Sequence, residues 1–177
     1  GRGMKGADKW APLEELAGTA IEESDRLLAM IDAMLFISRT EAGVTRPELK
    51  PLDLAALVRD ACELFRSLAE DTGIRLAWSA PDRWPLMADT PLVQRMLANL
   101  IDNAIKYTPA GGEVAVTLEP SAEGAAVVRV RDTGPGISDG DLPHIFERFY
   151  RGDPSRSQPG AGLGLSLARA VARAHGG

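Results

Sequence analysis

Asn99, Asn103 and Lys106 follow one another at i, i+4 and i+7 within the stretch LVQRMLANLIDNAIKYT, residues 92–108. At helical pitch they fall along one edge of an apolar face made by Leu92, Val93, Met96, Leu97, Leu100, Ile101 and Ala104. Asn103 comes between Leu92 and Met96 in angle, where a core residue is expected. A buried primary amide without a partner costs about 1–3 kcal/mol. Two amides stacked on one helix edge, with a cation beyond, point to oxygen ligands for a hard metal and a donor for phosphate. The same spacing also describes an ordinary, partly exposed helix edge, so the glycine turns downstream must decide.

Asp132 ends a strand in phase with Val128 and Val130, so its carboxylate is expected on the core side, where it needs a donor. Thr133-Gly134-Pro135-Gly136 follow as a turn where backbone can approach a ligand without Cβ obstruction. An aspartate at a strand end beside such a turn suits an exocyclic amine such as adenine N6, although DTGPG is also an ordinary turn. Further on, Gly160-Ala161-Gly162-Leu163-Gly164 runs into the start of a helix, and its successive N–H groups plus the helix dipole make an anion cradle. It is not a dinucleotide fingerprint, because it follows a loop and Leu165 stands where that motif's last glycine belongs. No GxxxxGK[ST] phosphate loop occurs either. Arg148, Arg151 and Arg156 precede it, either to neutralise phosphate charge or as a solvated face.

These side chains need elements to carry them. With 177 residues, 45% of them apolar and 25% charged, the chain has room for one globular domain and a helical extension. The net charge of −5, with no basic stripe, argues against a nucleic-acid partner. Cys62, the only cysteine, excludes an intrachain disulfide and a cysteine-based zinc site. No apolar run reaches the roughly 18 residues of a membrane span, and no signal peptide opens the sequence. A soluble chain from a reducing compartment is expected, and the opening GRGMKG suggests a cut fragment.

The spacing predicts a helix over about 12–41. Ile21, Leu28 and Leu35 lie seven apart, and Leu27, Ile31, Met34 and Ser38 form an adjoining row, as in a bundle or dimer element. Residues 44–52, VTRPELKPL, read as an extended linker. Asp53 is expected to cap a helix to about Asp71, closed by Gly73. Strands are expected at 74–79 and near 86–88, then the asparagine helix with Thr90 as cap and Pro91 in its first turn. A turn at 109–112 leads to strands at 113–119 and 125–132, joined by the SAEG hairpin. Ser138 is expected to cap a helix carrying Leu142, Ile145, Phe146 and Phe149. A mobile loop over 151–162 and a last helix over about 163–175 complete an α+β order.

In that order, NLIDNAIKYT, DTGPGI, IFERFYR and GAGLGLSLA closely resemble the N, first glycine, F and second glycine boxes of bacterial sensor histidine kinases. The resemblance runs from about residue 52 to the end, over the family's catalytic ATP-binding domain. ESDRLLAMIDAMLFISRTEAG upstream is similar to the second helix of its dimerisation and histidine-phosphotransfer domain. The division implied is 1–43 for that helix, 44–52 for a linker and 53–177 for the catalytic domain. The fold implied is the Bergerat type, a two-layer sandwich of a mixed sheet with helices on one face. By the same resemblance, Asn99 and Asn103 would hold Mg²⁺ and the phosphates of ATP, Lys106 would contact phosphate and Tyr107 would flank adenine. Asp132 would accept from adenine N6, with Gly134 and Gly136 shaping the pocket. Phe146 and Phe149 would anchor a lid, Arg148 and Arg151 would lie near the phosphates, and Gly160, Gly162, Leu163 and Gly164 would form the second glycine box.

The family's phosphoacceptor box, a histidine followed by an acidic residue and an Arg/Lys-Thr-Pro run, is absent. His144 and His175 lack that context and are expected to be packing or surface residues. The implied activity is ATP-dependent phosphorylation of a histidine outside this stretch, which would not autophosphorylate alone, with relay to a response regulator's aspartate. A homodimer and a cytoplasmic position, in a protein that relatives often anchor to the membrane, are also implied. The sheet is expected to lack its closing strands. ATPases of the same fold carry a glutamate where Asn99 stands, and an amide cannot act as a general base toward water. A serine-directed kinase of this fold and a degenerate nucleotide-binding module remain the other readings.

Overall fold

The computed structural model describes residues 11–44, 46–152 and 160–177. Helix α1 (Ala11–Glu41) leads to strand β1 (Lys50–Asp53), helix α2 (Leu54–Asp71), and strands β2 (Arg75–Ser79) and β3 (Pro85–Ala88). Helix α3 (Thr90–Tyr107), strands β4 (Glu113–Pro120) and β5 (Ala126–Asp132), and helix α4 (Gly164–Ala174) follow. The predicted loop over 151–162 and Arg156 fall largely or wholly outside the described residues.

A three-stranded sheet has the order β2-β4-β5, with β2 and β4 parallel and β4 and β5 antiparallel. It is therefore mixed, and α2 and α3 cover one of its faces. The central strand β4 alternates cleanly, with Val114, Val116 and Leu118 buried against Leu97 and Ile101 of α3 and Val58 of α2. Each such side chain, removed from water, contributes about 1.5–3 kcal/mol. On the outer face Arg75 pairs with Glu113, and Arg129 with Glu119, as a solvated surface requires. Cys62 is fully buried, and burial pushes its thiol up to about 11.

The expected linker ends in a strand: β1 pairs antiparallel with β3, from Lys50 opposite Ala88 to Asp53 opposite Pro85. Nothing local in KPLD announces a strand; its partner lies more than thirty residues away. Asp53 caps α2 as expected, accepting from Ala55 N–H at 3.1 Å, and also receives the Trp84 N–H at 2.8 Å. That second bond is the chief reason its carboxyl is held below the usual carboxylate range. The cap of α3 is Asp89, not Thr90. Asp89 Oδ1 accepts from Leu92 N–H and Oδ2 from Glu48 N–H, a reach that the shorter threonine hydroxyl cannot duplicate.

α1 packs against α4 through Met30, Ala33, Phe36 and Ile37, while Leu27, Leu28, Ile31, Met34 and Leu35 stay exposed. The helix expected after Ser138 does not form; residues 139–149 are turns. Leu142, Phe146 and Phe149 remain exposed, so that segment lacks the buried face from which short helices draw their stability. Among the described residues no helix is long and apolar enough to cross a membrane.

Candidate nucleotide site

The two asparagines of α3 face α4, which explains amides at positions of core phase. A Cβ added to Gly164 would stand 3.1 Å from Asn99 Oδ1 and 3.2 Å from Asn103 Nδ2. Asn99 Nδ2 donates to the Arg95 carbonyl at 2.7 Å, which turns its oxygen toward Gly164. The N-terminus of α4 has no side-chain cap, so its first N–H groups and dipole favour an anion here. Leu163, expected in the second glycine box, instead buries its side chain between α1 and α4 and leaves only backbone to the site.

Lys106 reaches the loop that enters α4. Its Nζ lies 5.2 Å from the centroid of the Tyr107 ring and 2.9 Å from where a Cβ on Gly160 would sit. Arg151 donates to the Gly160 carbonyl at 3.0 Å, so a second cation flanks the same glycine. Gly162 (φ +69°) lies so close to the Phe149 backbone that a Cβ would come within 2.8 Å of it. Phe149 N–H bonds Gly162 O at 3.0 Å and itself sits at φ +62°, a costly conformation outside glycine.

The first glycine turn is seated on the end of α3. A Cβ on Gly134 would meet the Tyr107 carbonyl at 2.7 Å and Asp132 Oδ1 at 2.8 Å. Asp132 does not point into the core: it is exposed, and its Oδ1 accepts the Gly134 N–H at 2.9 Å. It has core phase, opposite Val114, but it stands where the strand pair ends and the helices no longer cover it. Gly136 (φ +73°) is exposed at the same mouth.

Arg148 goes elsewhere than expected. Its guanidinium pairs with Glu41 at the end of α1. Three other contacts had no signal in the sequence. Thr133 Oγ1 accepts the Glu113 N–H at 2.9 Å and locks the turn to β4. Arg169 of α4 donates to the Phe146 carbonyl at 3.0 Å and stacks over its ring. Asp141 bonds both Ser138 and Tyr150. His144 is an exposed side chain beside Glu147. His175 uses both ring nitrogens, accepting from Asp89 N–H and facing the Val171 carbonyl. Two clefts beside α1, of about 570 and 320 Å³, border Phe36, Lys50 and Pro91 in one case and Glu41, Arg169 and Arg173 in the other, and neither includes the asparagines.

Asn99, Asn103 and Gly164 thus meet at the uncapped start of α4, with Lys106 and Arg151 beside Gly160. Residues 88–177 match the family described as histidine kinase-, DNA gyrase B- and HSP90-like ATPase. The chain belongs to that family. It is 38% identical over 164 residues to the sensor protein SphS of Synechococcus elongatus, covering 88% of this chain and 40% of that protein. It is 35% identical over 167 residues to the sensor histidine kinase CusS of Escherichia coli, covering 93% of this chain and 34% of that one. Among solved structures, full-length ShkA in complex with AMPPNP superposes with a TM-score of 0.74 at 34% identity, over 89% of this chain and 33% of ShkA. The mycobacterial sensor histidine kinase MprB gives 0.63 at 33% identity, over 72% of this chain and 80% of that structure. The chain thus spans well under half the length of these curated relatives.

Proposed function

We propose that this chain is the ATP-binding catalytic part of a sensor histidine kinase. The observation that carries the reading is the meeting of Asn99 and Asn103 with the uncapped start of α4 across Gly164. Adenine fits the mouth at Asp132, whose carboxylate can accept from an exocyclic amine beside the Gly134 turn. The phosphates then extend toward Lys106, Arg151 and the glycine backbone at 160–164. In the proposed reaction a histidine nitrogen, supplied outside this chain, bonds to the γ-phosphorus while the bond to the β,γ-bridging oxygen breaks. ADP leaves and the imidazole gives up its proton. Donors held in place before reaction, the amides and cations of this site, are what such a transfer needs.

Mg²⁺ fits the donor set. Among the described residues no group of three or more His, Cys, Asp or Glu side chains gathers to hold a metal. A cation here would take oxygen from Asn99, Asn103, the nucleotide's phosphates and water, as Mg²⁺ commonly does. When bound it would neutralise phosphate charge. Asn99 stands where a water-activating base would be needed, which favours transfer over hydrolysis. Onward transfer to a response regulator's aspartate, a homodimer built on α1 and a cytoplasmic position belong to the same proposal.

Calorimetric titration with a non-hydrolysable ATP analogue, with and without Mg²⁺, tests it. Mg²⁺-dependent binding is expected, at least tenfold weaker in Asn103→Ala. Equal binding by parent and variant would remove Asn103 from the site, and no binding by the parent would overturn the reading.

A further inference from the structure

Among the described residues of the stretch after the first glycine turn, 137–152, there is no helix and no strand, yet its two ends are tied together by one side chain. Asp141 Oδ2 accepts the Ser138 hydroxyl at 2.7 Å, and Oδ1 accepts the Tyr150 hydroxyl at 2.5 Å. The Asp141 N–H turns back to Ser138, 3.1 Å from its Oγ and 3.0 Å from its carbonyl oxygen. Gly152 leaves room for the same carboxylate: a Cβ there would come within 3.0 Å of Oδ2. Both hydroxyl bonds end on a carboxylate, which makes them short and about twice as strong as neutral ones.

What these two ends carry is specific. Ser138 comes two residues after Gly136, in the first glycine turn. Tyr150 lies between Phe149, whose N–H holds the Gly162 carbonyl, and Arg151, whose guanidinium holds the Gly160 carbonyl, each at 3.0 Å. A segment without a backbone ladder must take its geometry from such side-chain bonds.

We infer that Asp141 is a positioning residue for the nucleotide. Its carboxylate struts Tyr150 against Ser138, and so holds the Gly160–Gly162 loop at a fixed distance from the first glycine turn. The strut rests on the ATP reading above. It acts on the phosphate end of the ligand, because Phe149 and Arg151 hold the second loop. The adenine end is set separately by Asp132 and by Gly134 on the Tyr107 carbonyl.

The test uses Tyr150→Phe, which removes one oxygen and keeps the ring beside His144, together with Asp141→Ala and the double variant. Affinities for AMP and for a non-hydrolysable ATP analogue are measured on each by titration. The ATP analogue is expected to weaken about tenfold or more in both single variants, the size of losing a hydrogen bond to a charged group. AMP affinity should change less than twofold, and the double variant should match Asp141→Ala because the two groups act as one unit. Equal weakening of AMP and the ATP analogue, or additive losses, would overturn the strut by showing general loosening or independent roles. Hydrogen exchange at the Phe149 amide without nucleotide gives an independent reading. It should quicken severalfold in Tyr150→Phe, and unchanged exchange overturns the strut. A parent that binds no nucleotide refutes the ATP reading, while the exchange measurement still decides the strut.

Discussion

Glu41, the last residue of α1, forms an ion pair with Arg148, which lies 107 positions later in the segment between the glycine turns. The pair ties the end of α1 to the segment that follows the first glycine turn. Under the proposed ATP reading, an Arg148 that served phosphate would first have to leave this pair. Both side chains are partly exposed, at 42% and 31%, so the pair contributes no more than about 1 kcal/mol. By reciprocity, whatever nucleotide gains from Arg148 is offset by breaking this contact. Glu41→Gln is therefore expected to tighten the ATP analogue two- to fivefold at low salt, with the difference shrinking at high salt. Titrations at two ionic strengths check it, and an affinity indifferent to the substitution would separate Arg148 from the phosphates altogether.

Gly164 separates binding from stability. It opens α4, where alanine is the better helix former by up to about 1 kcal/mol. A Cβ there would crowd both asparagine amides at 3.1 and 3.2 Å. Gly164→Ala is expected to leave the melting temperature unchanged or raised while weakening the ATP analogue at least tenfold. Retained affinity in a folded variant would show that the amides do not need that space.

Asp53 serves fold and not site, because its carboxylate holds both the start of α2 and the Trp84 N–H before β3. Asp53→Ala should lower the urea unfolding midpoint, as the loss of a helix cap does, without altering nucleotide affinity once folded. The sign of the pH effect follows from the lowered carboxyl. Folding binds its proton less readily than the unfolded chain does, so this stability is present above about pH 3.8 and lost as pH falls through the lowered folded value. The parent should show that acid slope, and the variant should show less of it.

Short-range periodicity made much of the fold legible. Val114, Val116 and Leu118 alternate on a strand covered on one face, and Leu97 and Ile101 repeat at helical spacing, so local pattern and final burial agree. Helix α2 began and ended where Asp53 and Gly73 signalled, because capping and left-handed closure are decided within a few residues. The same pattern failed at Leu142, Phe146 and Phe149, where helical spacing exists but no surface arrives to bury it. It also missed the pairing of β1, read as the end of an extended linker, with the distant β3.

The candidate site divides along the same line. Asn99, Asn103, Asp132 and the glycines were visible as residue types at telling intervals, since turn geometry and helix edges are local. That Asp132 would be exposed, that Leu163 would be buried under α1 and that Arg148 would pair with Glu41 depended on which elements meet. Hydrogen bonds and ion pairs between elements are set by the packing of distant surfaces. The sequence carried the chemistry of each part, and only the tertiary structure decided which parts face one another.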